Sequence, residues 1–130
     1  DLKIGKDFIT EPGECIPNDQ LTTDPPPSRS YAFCSDTAYQ PILSEWLKDV
    51  DLLYHETTFM ESEAQRATDT KHSTAQQAAL IAHAAGAKQL LMGHYSARYK
   101  SLDGLLKEAQ AVFPASILSE EGQCYPIGEN

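Results

Sequence analysis

One hundred and thirty residues, 41% apolar and 22% charged, suit a single globular domain and exclude a disordered chain. The net charge of −9, with only ten scattered Lys and Arg, excludes a generic polyanion binder with a basic stripe. No apolar run approaches the ~20 residues of a membrane helix, and no basic-then-apolar signal segment opens the chain.

Cys15, Cys34 and Cys124 are odd in number and share no CxxC spacing. They read as ordinary thiols in a reducing cytoplasm, not a disulfide framework or a thiolate zinc site. Asp1-Leu2-Lys3 lacks an initiator methionine and runs at once into strand-like sequence, so a piece of a longer protein is expected.

Asp7 to Ile16 alternates around Glu11-Pro12-Gly13-Glu14 and predicts a short β-hairpin. Pro17 to Arg29 holds Pro25-Pro26-Pro27 among polar residues and predicts an extended connector. Tyr31-Ala32-Phe33-Cys34 predicts a strand that delivers Ser35-Asp36-Thr37. Ile42, Leu43, Trp46, Leu47 and Val50 predict a helix over 42–50 with one apolar face. Asp51-Leu52-Leu53-Tyr54 predicts the next strand, ending in His55-Glu56-Thr57-Thr58-Phe59. Met60 to Thr70 is polar, a short helix and loop leading to His72.

Ser73 and Thr74 are both good N-caps, each with a glutamine three residues on, Gln76 and Gln77. Ala75, Ala78, Ala79, Ala82 and Ala85 recur at helical intervals, and Gly86 suits the left-handed end of that helix. Gln89 to Met92 predicts a buried strand running into Gly93-His94. Ser101 caps a helix over 102–112 that turns Leu102, Leu105, Leu106, Ala109 and Val112 inward, and Pro114 stops it. Ser116–Leu118 and Cys124–Ile127 predict two final strands. The alternation predicts an α/β layered fold, with strands near Ala32, Leu53, Leu91 and Ile117 in one sheet under helices near Leu47, Ala79 and Leu106.

Residues of metal-ligand type gather where strands end: Asp36, then His55 and Glu56, then His94, with His72 just before a helix start. In open α/β sheets those ends share one edge, where ligands bind. Each has an ordinary explanation when taken singly. Asp36 could cap a helix, His94 could be a satisfied buried histidine, and His72 an exposed neighbour of a cap. Arg98 could form a surface ion pair or hold a phosphate as a planar fork. His83, mid-helix among alanines, reads as structural or solvent-facing. Gathered on one edge, Asp36, His55, Glu56, His72 and His94 suit a metal-assisted hydrolase.

Ser35-Asp36-Thr37, His55-Glu56-Thr57-Thr58-Phe59, His72-Ser73-Thr74 and Gly93-His94-Tyr95-Ser96-Ala97-Arg98-Tyr99 stand in that order. Together they resemble the C-terminal half of ribonuclease Z, the tRNA 3′-processing endoribonucleases of the metallo-β-lactamase superfamily, over about Ile4 to Ile127. The resemblance implies an α/β fold: the C-terminal half of an αββα sandwich, one mixed sheet with covering helices. Residues 1–130 would form a single half-domain, with 17–29 as a connector inside it.

The resemblance also implies site roles. Asp36 matches the aspartate that bridges two zinc ions, and His94 the last histidine ligand. His72 matches the histidine that assists the leaving group, and Glu56 the acid that orients it. Ser73, Thr74 and Arg98 fall where the family contacts the RNA backbone. Thr57 stands where alanine is more usual.

The family's His-x-His-x-Asp-His run, the separate histidine after it and the tRNA-gripping arm do not occur in this sequence. The implied partners are therefore precursor tRNA and the missing N-terminal half of the same protein, with a homodimer expected. The chain alone is expected to be inactive. The alternatives are another metallo-β-lactamase-fold phosphodiesterase, or a non-catalytic scaffold or dimerisation half.

Overall fold

A computed structural model describes residues 5–10 and 13–128. The short strands β1 (Phe8–Ile9) and β2 (Cys15–Ile16) form the predicted antiparallel hairpin. Glu11 and Pro12, at the centre of its predicted turn, lie outside the described residues. The extended connector expected over 17–29 is interrupted by one helical turn, α1 (Asn18–Leu21). There the Asn18 N–H donates to Asp7 Oδ1 at 2.7 Å and its side-chain amide to the Lys6 carbonyl at 2.9 Å, tying that turn to the hairpin. From Thr22 to Ser30 no helix or strand forms.

The body of the molecule is one four-stranded sheet in the order β3-β4-β5-β6. Its strands are β3 (Tyr31–Cys34), β4 (Leu52–Glu56), β5 (Gln89–Gly93) and β6 (Ser116–Leu118). Helix α2 (Leu43–Trp46) joins β3 to β4. A 3₁₀ turn at Glu61–Glu63, α3 (Ala64–Thr70) and α4 (Ala75–Ala85) join β4 to β5, and α5 (Asp103–Val112) joins β5 to β6. All three strand pairings are parallel, so the mixed sheet expected from sequence is corrected to a parallel one among the described residues. The physical reason is the helical crossover between each strand and the next, which returns the chain in the same direction.

Leu53, Leu90 and Met92 pack with Ala75, Ala78, Ala79, Ile81, Ala82, Leu105 and Ala109 in the main core. The alanine stripe makes α4 thin, so the helix can sit close to the strands. Truncating a wholly buried side chain such as Leu53 or Leu105 would cost about 2–5 kcal/mol. Thr74 is the N-cap of α4 and completes a capping box with Gln77, and Gly86 ends the helix at φ 69. Glu108 of α5 accepts hydrogen bonds from the Gln76 and Glu61 N–H groups, fastening the two helices at the start of α4.

Two predicted elements fall short. The helix expected over 42–50 is only Leu43–Trp46, and Trp46 (72%) and Ile42 (43%) are exposed instead of inward. Asp49 takes φ 59 and its N–H donates to the Ala85 carbonyl at 2.8 Å, which draws the chain out of helix and onto the end of α4. No strand forms over 124–127. The Tyr125 hydroxyl instead accepts from the Glu120 N–H and donates to the Leu118 carbonyl, and Pro126 has no N–H for a ladder.

On the sheet face away from the main core, Phe33 stacks on Tyr54 at 4.6 Å between centroids. The Tyr54 ring lies across Gly93, where any Cβ would collide with it. Tyr31 and Phe33 on the edge strand remain exposed at 48% and 63%. No helix among the described residues is long and apolar enough to cross a membrane.

Candidate active site

Parallel strands end on the same side, and here the ends are level: Cys34 pairs with His55, and Glu56 with Gly93. Asp36, Glu56 and His94 therefore arrive at one edge of the sheet. A parallel bridge between Phe59 and Thr74 brings His72 to the same place. The ligand-type atoms of Asp36, Glu56, His72 and His94 all lie within 4.8 Å of one another. All four were singled out in the sequence, and they converge.

Glu56 is the centre of the cluster and is fully buried. Its carboxylate accepts from the Thr37 N–H (2.7 Å), the Thr58 hydroxyl (2.5 Å), the Ser73 N–H (3.1 Å) and His72 Nδ1 (2.9 Å). Burial pushes its pKa up, but those hydrogen bonds outweigh burial and hold it below the ordinary glutamate value. Glu56 stays ionised, and its lone pairs are spent within the protein. It is a holder of other groups and is poorly placed to ligate a metal.

His72 presents Nδ1 to Glu56, and an ionised carboxylate can only accept, so Nδ1 carries the proton. Its ring stands 5.2 Å from that of His94 and meets Phe59 edge-on at 6.3 Å. His94 sets Nε2 3.4 Å from Asp36 Oδ1 and Nδ1 2.9 Å from Thr58 Oγ1. The uncommitted donors at this edge are thus the Asp36 carboxylate and the Nε2 nitrogens of His94 and His72, a set that fits a divalent metal ion. Asp36 and His94 both hold positive φ, 51° and 60°. Aspartate and histidine tolerate that region better than most residues, and non-glycine residues held there cluster at functional sites.

Other residues singled out in the sequence are placed differently. His55 is also fully buried, but it alternates with Glu56 along β4 and so faces the opposite side. Its Nδ1 donates to the Glu56 carbonyl at 2.8 Å, and its Nε2 has no partner among the described residues. Desolvation lowers its pKa, keeping it neutral. Ser73 and Thr74 are fully buried and spend their hydroxyls inside, on the Thr37 carbonyl and on Glu61. Neither faces outward toward an RNA backbone. Arg98 forms an ion pair with Glu63 at 2.9 Å and lies 5.6 Å from the Phe59 ring centre. Glu63 also meets Arg66 at 3.5 Å. His83 is exposed.

Sequence reasoning passed over Thr58 and Glu63. The signal for Thr58 was available, because two residues on from Glu56 in extended chain puts both side chains on one side.

No family model matches the chain. It is 51% identical over 126 residues to the ribonuclease Z of Bacteroides thetaiotaomicron, covering 97% of this chain and 40% of that protein. With the ribonuclease Z of Porphyromonas gingivalis it shares 55% identity over 117 residues, 90% of this chain and 38% of that one. The chain thus spans about 40% of the length of these curated relatives.

Among solved structures, the metallo-β-lactamase-fold protein YhfI of Bacillus subtilis superposes with a TM-score of 0.68 at 29% identity, over 74% of this chain and 39% of that chain. The short form of human tRNase Z gives 0.52 at 28% identity, over 66% of this chain and 28% of that chain. Sequence and architecture agree: the chain is a homologue of the C-terminal part of ribonuclease Z, built on part of a metallo-β-lactamase fold.

Proposed function

We propose that this chain carries part of the active site of a metal-dependent endoribonuclease that removes 3′ trailers from precursor tRNA by phosphodiester hydrolysis. The observation that carries the reading is the pairing of Glu56 with His72 directly beside Asp36 and His94. One pair is built to hold a proton and the other to hold a cation.

Asp36 and His94 would hold zinc, which when bound supplies Lewis acidity at the phosphodiester. A catalytic zinc takes about three protein ligands, and a two-metal site more. The remaining donors come from the complementary N-terminal half, which is the chain's first partner. His72 then acts on the leaving oxygen. With Nδ1–H held by Glu56, its Nε2 delivers a proton to that oxygen, and the carboxylate steadies the imidazolium beforehand. Arg98 meets an RNA phosphate after exchanging Glu63 for it. Ser73 and Thr74 act from inside, by fixing the backbone that carries His72.

The net charge of −9 fits a half that leaves most RNA gripping to a basic surface elsewhere. Residues 1–130 act as one half-domain, with 17–29 a connector within it. The exposed Tyr31 and Phe33 face awaits the other half of the sandwich, and without it favours a homodimer. The three cysteines, all free, suit a cytoplasmic setting.

The test is to assay the purified chain for zinc and for precursor-tRNA cleavage, then add the N-terminal half of a ribonuclease Z relative in trans. The expected result is weak zinc binding and no cleavage alone, with both restored on complementation. Robust cleavage by the chain alone, with two tightly held zinc ions, would overturn the half-site reading. A complemented protein that hydrolyses bis(p-nitrophenyl) phosphate but leaves precursor tRNA intact would instead indicate a different phosphodiesterase.

A further inference from the structure

The hydrogen bonds around Glu56 do more than hold His72, because one of them leads onward. Thr58 Oγ1 lies 2.5 Å from Glu56 Oε2 and 2.9 Å from His94 Nδ1, and Thr58 is only 6% exposed. A hydroxyl has one proton to give. The Glu56 carboxylate, with two backbone N–H groups also aimed at it, can only accept, so it takes the Thr58 proton. Toward His94 the Thr58 oxygen can then only accept. His94 Nδ1 must therefore carry a proton, and the lone pair of the neutral ring is left on Nε2, the nitrogen 3.4 Å from Asp36.

We propose that Thr58 is a positioning residue that locks His94 in the Nδ1–H tautomer, so that one buried carboxylate sets both imidazoles of the site. His72 is held directly and His94 through the hydroxyl. The lock has work to do, because a neutral histidine in water prefers its proton on Nε2, the nitrogen a ligand would need bare. Metal-binding histidines are commonly held in this way by a hydrogen bond at the other ring nitrogen. The tautomer follows from the hydrogen bonds alone, whereas its value to metal binding rests on the function proposed above.

The neighbouring Thr57 provides a control within the same loop. Its hydroxyl is also buried, but it donates to the Gly93 carbonyl at 3.1 Å, outside the relay.

The experiment has two arms. Long-range ¹⁵N–¹H spectra of the histidine-labelled, metal-free full chain, taken at about pH 8.5 where histidine in water is neutral, read the His94 tautomer directly. Zinc titration of the complemented protein reads affinity. Wild type is expected to show His94 as Nδ1–H. Thr58→Val, close in shape but without a hydroxyl, is expected to move the proton toward Nε2 and to weaken zinc binding by about 10–100-fold. Thr58→Ser is expected to restore both, and Thr57→Val to leave both unchanged.

An Nε2–H signal from His94 in wild type overturns the proposal without need of any variant. So does a Thr58→Val protein with wild-type tautomer and affinity, or a Thr57→Val protein with equal losses. Should the tautomer shift and the zinc loss appear in a protein that does not cleave precursor tRNA, the relay stands and the ribonuclease reading falls.

Discussion

Asp36 Oδ1 lies 3.4 Å from His94 Nε2, and both residues reach that position through left-handed backbone at φ 51° and 60°. Each follows a parallel strand, and the reversed twist turns the side chain back toward the sheet edge. An L residue pays roughly 1–2 kcal/mol for this conformation, glycine far less. Asp36→Gly is therefore expected to be more stable than Asp36→Ala by about 1 kcal/mol, the reverse of the usual order. Both should lose metal. Thermal unfolding of the two variants checks the order, and an Ala variant equal to or above the Gly one would remove strain from the account.

The neighbouring imidazoles should separate by readout. His94→Ala is expected to lower metal content and activity together, because it deletes a ligand nitrogen. His72→Ala should slow turnover by roughly 10²–10⁴-fold while metal content stays near wild type, the usual contribution of a general acid. Metal analysis alongside turnover of the complemented protein decides it, and equal metal loss in both variants would be fatal to the division of roles.

Arg98 rests on Glu63 at 2.9 Å with its guanidinium 5.6 Å from the centre of Phe59, so any RNA phosphate competes with a carboxylate for it. Both partners are over a third exposed, which limits the pair to ~0.2–1 kcal/mol. Glu63→Gln is then expected to tighten precursor-tRNA binding by up to about fivefold with little change in kcat. Arg98→Lys should weaken tRNA binding and spare the turnover of a small phosphodiester, since a planar fork becomes a point charge. Equal losses on both substrates would put Arg98 at the reacting phosphate or make it structural.

Stability should fall on mild acidification, through His55. Its pKa is lowered by desolvation, against the opposing pull of Glu56. The unfolded chain therefore takes up the proton first as pH drops below about 6.5, and stability is lost from there downward until the folded value is reached. Glu56 adds a second loss lower down: its folded pKa is depressed, so its contribution is present above about pH 4.5 and disappears as pH falls through the folded value. In His55→Asn the side-chain amide can still donate to the Glu56 carbonyl, but nothing titrates. Its melting temperature should vary less than that of wild type between about pH 6.5 and 5. Parallel curves for the two proteins would exclude His55 as the source.

Much of this protein was legible from the order of its residues. The strand at Tyr31–Cys34, a capped helix start at Ser73-Thr74, the alanine face of α4 and the end at Gly86 all follow from signals within one or two turns of chain. The convergence of Asp36, Glu56 and His94 was legible too, because the strand ends of an open α/β sheet share one edge. The Phe59–Thr74 bridge that adds His72 and the turning away of His55 were not.

What tertiary structure alone decided is the partner of each polar group and the cover over each apolar one. Trp46 was read as inward from helical spacing, but the docking of Asp49 on Ala85 ends α2 too early for that face to form. Arg98 was open to an ion pair or a phosphate, and its contact with Glu63 forms only where the 3₁₀ turn at Glu61–Glu63 and the loop after β5 meet. The hydroxyl of Thr58 finds His94 across 36 positions of sequence, and the carboxylate of Glu56 finds Thr37 across 19. Periodicity and capping act over a few residues, whereas hydrogen-bond direction and burial depend on groups that only folding brings within about 3 Å.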